Sequence, residues 1–216
     1  MKKIITLFAL LPYVSLFAQD EQERLKPEQK SISAELNIIP FSNNPVNMPY
    51  LRARYFIKEN MAVRVGFSIS GRTENPNKDT EGKTFTYNLR PGFEYHFKGN
   101  RKISPYVAAE LDYAVKKSTY KTNSQQTGNV TIDGVINQNG DEQGFNRFGA
   151  NLLAGIDIYL IKRLYIGFEL GFGYSKSNFV DIKVVQNGTP NNFDGQKISS
   201  YGPTLNRAFR LGFFFN

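Results

Sequence analysis

The sequence predicts an all-β fold, an eight-stranded antiparallel up-and-down transmembrane β-barrel, on three observations. Apolar and polar residues alternate with period two in eight separate segments, which marks strands with one oily and one wet face. The breaks between segments alternate short and long, so turns collect at one rim and loops at the other. The oily faces carry almost no charge, whereas the opposite faces carry acids and bases together. A soluble barrel has the reverse arrangement, with apolar side chains filling its interior.

The chain opens with MKKIITLFALLPYVSLFAQD, two lysines before an apolar run that ends at Phe17-Ala18. That order is the one expected of a secretory signal peptide, residues 1–18, cleaved after Ala18. The run is short for a membrane span and is broken by Pro12. Residues 19–30, QDEQERLKPEQK, are charged and carry a single leucine, so they read as a flexible periplasmic lead-in. The barrel domain is expected over 31–216.

The first strand is SISAELNII, with Ile32, Ala34, Leu36 and Ile38 opposite Ser33, Glu35 and Asn37. In the second, YLRARYFI, Leu51, Ala53, Tyr55 and Ile57 oppose Arg52, Arg54 and Phe56. The third, MAVRVGFSIS, sets Val63, Val65, Phe67 and Ile69 against Arg64, Gly66 and Ser68. The fourth, FTYNLRPGFEYHF, has every odd position from Phe85 to Phe97 apolar, aromatic or proline, and every even position polar, charged or glycine. The fifth runs through SPYVAAELDYAVK, with Glu110 and Asp112 on the polar face. The sixth, FGANLLAGIDIYL, carries Asp157 there, and the seventh, LYIGFELGFGYS, carries Glu169. The eighth, LNRAFRLGFFFN, sets Phe209, Leu211, Phe213 and Phe215 against Ala208, Arg210 and Gly212. Breaks at Lys58-Glu59-Asn60, Gly99-Asn100-Arg101 and Ile161-Lys162-Arg163 are short, and the others are longer.

Within such a barrel Glu35, Arg52, Arg54, Arg64, Arg90, Glu94, Glu110, Asp112, Asp157, Glu169 and Arg210 face the lumen as an ion-pair network. Isolated buried charges are very costly, so these groups need one another or water. Glycines 66, 92, 155, 167, 171, 173 and 212 leave room for them. Eight strands enclose an interior only wide enough for side chains to fill, so no open pore is expected. Tyr55, Tyr95, Phe97, Phe213 and Phe215 form an aromatic girdle at the short-turn rim, and Phe85, Tyr87, Tyr113 and Tyr174 one toward the loops. Arg207 is the main charge on an apolar face, and it falls near the loop end.

The leader, the eight alternating segments, the short–long order and the final RAFRLGFFF resemble the small eight-stranded outer-membrane barrels of Gram-negative bacteria, the OmpA and OmpX type. The resemblance implies export, residence in the outer membrane among lipid and lipopolysaccharide, and recognition of the C-terminal strand by the barrel-insertion machinery. In that family the last strand ends in an aromatic residue. Here Phe215 is penultimate and Asn216 last. With the barrel expected over 31–216, the peptidoglycan-binding domain that some relatives carry is not expected. A monomer is expected, with no enzymatic activity and a role in envelope integrity or in surface interaction and adhesion.

Other chemistry finds little support. There is no cysteine and one histidine, so neither a thiolate nor a multi-histidine metal site is expected. His96 lies beside the short turn at Lys98-Gly99, the rim away from the outer leaflet, and is expected as a lumen or rim histidine rather than a catalytic base. No phosphate-cradling motif is present, and no cofactor is expected. The net charge of +8 is scattered through the strand pattern and implies no nucleic acid. A narrow channel for ions or small solutes, a lipid-modifying enzyme and a soluble lipocalin-like carrier are the alternative readings. Two long loops, GNVTIDGVINQNG and FVDIKVVQNGTPNNF, contain β-prone runs with Asp133-Gly134 and Asn187-Gly188, hairpin signals. They are expected either as mobile loops or as strands raised above the membrane for an extracellular protein partner to pair with.

Overall fold

The computed structural model describes residues 25–38, 46–124, 128–137, 139–205 and 209–215. The expected signal peptide, the first part of the expected lead-in, Arg207 and Asn216 lie outside the described residues. The described residues form twelve strands in one antiparallel sheet: β1 (Ile32–Ile38), β2 (Val46–Lys58), β3 (Met61–Asn77), β4 (Thr80–His96), β5 (Ile103–Ser124), β6 (Gly128–Asp133), β7 (Phe145–Ile161), β8 (Leu164–Phe179), β9 (Ile182–Gln186), β10 (Thr189–Phe193), β11 (Lys197–Leu205) and β12 (Phe209–Phe215).

Eight positions close into a ring. The order is β1, β2, β3, β4, β5, β7, β8, and then β12 with β11 end to end along β8. β12 pairs with the lower part of β8, Phe213 opposite Leu164, and β11 with the upper part, Tyr201 opposite Tyr174. The ring shuts where β1 meets β12, from Ile32 opposite Phe215 to Ile38 opposite Phe209. Along β12 closure leaves the described wall no free edge, as a sheet surrounded by hydrocarbon requires, whereas among the described residues β11 pairs only with β8.

The period-two pattern sorts the two faces as the sequence predicts. Leu51, Val65, Phe67, Leu89, Phe93, Leu111, Leu152, Leu170 and Phe213 point outward and are exposed, while Arg54, Arg64, Glu94, Asp157 and Arg210 point inward and are buried. This is a barrel turned inside out relative to a soluble one.

The strands run longer than the sequence pattern indicates. β3 and β4 continue as a hairpin to a tip at Lys78-Asp79, so the expected break between the third and fourth strands is itself strand. Above the level where β7 leaves it, β5 pairs instead with β6, Thr119 opposite Asp133. β6 pairs with β9, and β9 with β10. The wall is therefore carried upward on one side by β3, β4, β5, β6, β9 and β10. The reason the pattern fades here is physical: alternation records oil on one side and charge on the other, and above the oily belt the outer face is wet, while the inner face is apolar only where Tyr120, Val130 and Ile132 meet Ile182 and Val184. All five residues of β10 are exposed.

Turn chemistry matches one hairpin signal and not the other. Asn187 and Gly188 both have positive φ, 50° and 86°, and join β9 to β10 as a two-residue turn. Asp133-Gly134 is not a hairpin turn. β6 ends there, and Gly134, at φ 105°, sends the chain into a loop over 134–144 whose neck is closed by the Gly144 N–H donating to the Gly134 carbonyl at 2.7 Å.

Candidate functional site

The interior fills in layers. At the short-turn end, Phe56, Ala62, Tyr159, Tyr165 and Phe214 form a buried aromatic floor. Tyr165 and Phe214 stack with centroids 4.7 Å apart, and Phe56 meets Phe214 edge-on at 5.9 Å. Residues 25–31 turn under this floor, with Leu25 packed against it and Pro27 buried. The Lys30 N–H donates to the Phe56 carbonyl at 2.7 Å, and Gln29 Nε2 to the Ile57 carbonyl at 3.1 Å. The end of the expected flexible lead-in is thus held by backbone bonds and by its leucine and proline.

Above the floor lies a web of nine charged side chains, none more than 6% exposed: Glu35, Arg52, Arg54, Arg64, Glu94, Glu110, Asp157, Glu169 and Arg210. Arg54 reaches Glu35, Glu94 and Asp157 at 2.8, 2.9 and 2.8 Å. Arg64 reaches Glu94, Glu110 and Glu169 at 2.9, 2.9 and 2.5 Å. Arg210 holds Glu35 and Asp157, both at 3.1 Å. Arg52 holds Glu169 at 2.9 Å and Glu35 at 3.5 Å. Each guanidinium spans two or more strands, so the web ties opposite walls together. Arginine suits this place because its planar fork serves several carboxylates at once.

Arg90 and Asp112 stand apart from the web. Asp112 pairs with Arg90 at 3.6 Å and with Arg147 at 3.2 Å in a smaller, wetter group toward the loops, where Asn88 also donates to it. Over both groups, six arginines face six carboxylates.

Sequence reasoning misses Arg147 and three tyrosines. Tyr106 OH accepts from Arg210 at 2.5 Å and donates to Glu169 at 2.8 Å. Tyr165 OH donates to Glu35 at 2.6 Å. Tyr50 OH accepts from Arg52 at 3.2 Å, and its ring lies under both Arg52 and Arg90. A signal for them exists in the strand register. Tyr106 pairs with Gly155 and Tyr165 with Gly212, and a Cβ on either glycine would collide with the facing ring. A Cβ on Gly66 would collide with Tyr50. Gly92 and Gly167 make the room for Arg64 with Glu110 and for Arg210 with Asp157 that the sequence leads one to expect.

His96 is buried, with Nδ1 at 3.0 Å from Ser104 Oγ and Nε2 at 3.1 Å from Glu94 Oε2. The order serine, histidine, carboxylate resembles a hydrolase relay, but its geometry serves the web. Ser104 is itself buried, Glu94 already accepts from Arg54 and Arg64, and the ring is wedged between Phe56 and Tyr106 at 5.5 and 4.9 Å.

The loop end is covered from inside. Val135 and Ile136 of the 134–144 loop are buried, and Ile136 lies against Gly82 of β4. Glu142 accepts from Lys116 on β5 and from Arg72 on β3 at 3.2 Å, bridging the ring. Tyr120, Val130, Ile132 and Val135 form a second small core with Ile182 and Val184.

On the outer wall, Tyr55, Tyr95, Phe97, Phe213 and Phe215 are exposed toward the short turns, and Phe85, Tyr113 and Tyr174 toward the loops. Tyr87 is half-buried between Phe85 and Tyr113, at 6.5 and 6.1 Å. Tyr95–Phe97 and Phe213–Phe215 are edge-on pairs at 5.4 and 5.1 Å.

A family model described as "Putative OmpA-OmpF-like porin family" matches residues 75–183, half of the chain. No curated protein matches it. Among solved structures, the chain is similar to Ail, the attachment invasion locus protein of Yersinia pestis, at 14% identity and TM-score 0.39, over 86% of this chain and 95% of that one. It is also similar to the N-terminal β-barrel domain of Pseudomonas aeruginosa OprF, at 15% identity and TM-score 0.36, over 88% of this chain and all of that one. A third is CarO2 of Acinetobacter baumannii, at 9% identity and TM-score 0.34 over 88% of this chain. By the extent of the family match, the chain belongs to the OmpA-OmpF-like porin family, β-barrel proteins of the outer membrane of Gram-negative bacteria.

Proposed function

We propose that this barrel is a non-enzymatic anchor. It holds a stiff, closed cylinder in the outer membrane and lifts the β3–β4, β5–β6 and β9–β10 hairpins outside the cell for envelope integrity or for contact with another surface. The carrying observation is the contrast between the two ends: an interior filled by ion pairs, and a wall that rises well past the oily belt. Among the described residues, β10 pairs only with β9, and β3 above Ser68 pairs only with β4. Each offers a strand edge to which an extended segment of a protein partner can add. Nine of the outer-wall aromatics, those nearest the strand ends named above, serve as interfacial girdles, the leader directs export, and the C-terminal strand is the signal for insertion.

The second reading is a narrow channel, favoured by the family's porin description. The two differ in conductance. Purified full-length protein in a planar bilayer is expected to be silent, because the aromatic floor and the charged web occupy the cross-section. Steady single-channel steps in the wild-type protein would replace the anchor with the channel.

A further inference from the structure

The outward faces of the strands carry lysine, whereas the arginines of the web point inward. Lys83 on β4, Lys117 and Lys121 on β5, and Lys176 on β8 are all exposed on the outer side, together with Lys197 on β11. On each strand the lysine follows the outward aromatics: Phe85 then Lys83, Tyr113 then Lys117, Tyr174 then Lys176, and Tyr201 then Lys197. An aromatic marks the membrane boundary, so these ammonium groups stand at the headgroup level of the outer leaflet. Lys83 is held by Glu81 at 2.7 Å, whereas among the described residues neither Lys117 nor Lys176 has a carboxylate partner.

Below Lys117 and Lys176 the wall is dented. Ala109 on β5 and Ala150 on β7 are too small to fill the space between Phe93 on β4 and Phe172 on β8, which leaves an apolar groove of about 580 Å³. Tyr174, at its upper end, lies two residues below Lys176, about 7 Å along the strand. A second apolar groove, about 590 Å³, lies across the barrel at Ala34 and Ala53. Above that one, the described residues of β1, β2 and β3 offer no base on the outward face, and Arg207, before β12, lies outside the described residues. Asn37 to Leu51 contains no lysine or arginine, and β3 continues as Ile69, Gly71 and Thr73.

We propose that the β5–β7–β8 side of the outer wall is a binding site for a phosphorylated, acylated glycolipid of the outer leaflet, with one acyl chain in the Ala109–Ala150 groove and its phosphates on Lys117 and Lys176. The inference rests on the anchor reading above, in which the loop end faces outward. An ammonium near an anionic lipid surface is worth about a factor of five in binding, so losing two costs roughly 25-fold. The Ala34–Ala53 groove supplies the internal control, since it lies across the barrel from Lys117 and Lys176.

The test is native mass spectrometry of the full-length protein released from micelles containing bisphosphorylated lipid A, the same lipid without phosphates, or phosphatidylglycerol. The wild-type protein is expected to retain the bisphosphorylated lipid in preference to both others. Retention falls about 25-fold in the Lys117→Gln, Lys176→Gln double variant and severalfold in Ala150→Phe, and is unchanged in Ala53→Phe. Unaltered retention in the lysine variant, or equal retention of the phosphate-free lipid or of phosphatidylglycerol, would overturn the site. The double variant keeps the question open to refutation even where Ala150→Phe does not fold. Heat-dependent gel migration is read in parallel. A wild-type protein that stays soluble without detergent defeats the outer-membrane anchor itself, whereas a folded barrel indifferent to the lysines defeats the lipid site alone.

Discussion

Glu94 shows at one position how the interior holds together. Its two oxygens accept from Arg54 and Arg64 at 2.9 Å each, and His96 Nε2 lies 3.1 Å away. Removing one partner of such a group leaves cations buried without compensation, at a cost of about 3–5 kcal/mol. Glu94→Ala is therefore expected to lower the unfolding free energy of the barrel in lipid vesicles, read from its urea midpoint and slope, by that amount, as followed by the loss of heat-dependent gel migration. Glu81→Ala on the exposed outer surface is expected to change it by less than about 1 kcal/mol. Gly212 makes a second case. A methyl there meets the Tyr165 ring, and overpacking costs about 1–3 kcal/mol. Combining Gly212→Ala with Tyr165→Leu, which removes the obstruction, is expected to cost less than the sum of the two single changes. Strict additivity in the same urea assay would show that the glycine and the tyrosine do not share the space.

At the scale of the element, the eight wall strands and the facing of each are legible in the sequence, and their upper extensions are not. Phe85 to Phe97 alternates without a fault because one face meets hydrocarbon and the other meets the charged web. Gly71 to Asn77 and Thr189 to Phe193 have water on both faces, so nothing enforces a period, though both segments are strand. The charges of the web are legible for the same reason, since a carboxylate on the wet parity of a strand has nowhere to go but inward. Its tyrosines are harder to read, because Tyr106 and Tyr165 are as much at home on an oily face as on a polar one. Only the glycines opposite them, 155 and 212, betray the direction. The raised hairpins have a separate small core, so they are expected to be separable from the wall. Replacing residues 182–193 by a short Gly-Ser turn removes β9 and β10 but no pair of the closed ring. The shortened protein is expected to keep its heat-dependent gel shift and to lose adhesion to any surface that the parent binds. Loss of the gel shift would place β9 and β10 within the folding unit of the barrel.

For the whole molecule, one inversion accounts for location, closure and rigidity together. Oily side chains stabilise the cylinder from outside, where they need only hydrocarbon, and the lumen is free to hold charge because acids and bases meet there in equal number. A pore would need some of that space returned to water, at the expense of the arginines now shared between carboxylates. The chain lacks cysteine, so single nitroxide labels can be placed on any face without background. The most direct measurement puts one at Leu89 and one at Arg90, neighbours whose side chains leave opposite faces of β4, and records relaxation by oxygen and by a water-soluble nickel complex in outer-membrane vesicles. The inside-out barrel predicts oxygen contact at Leu89, as in acyl chains, and little at Arg90. A nickel-accessible label at 89 beside an oxygen-accessible one at 90 would contradict it.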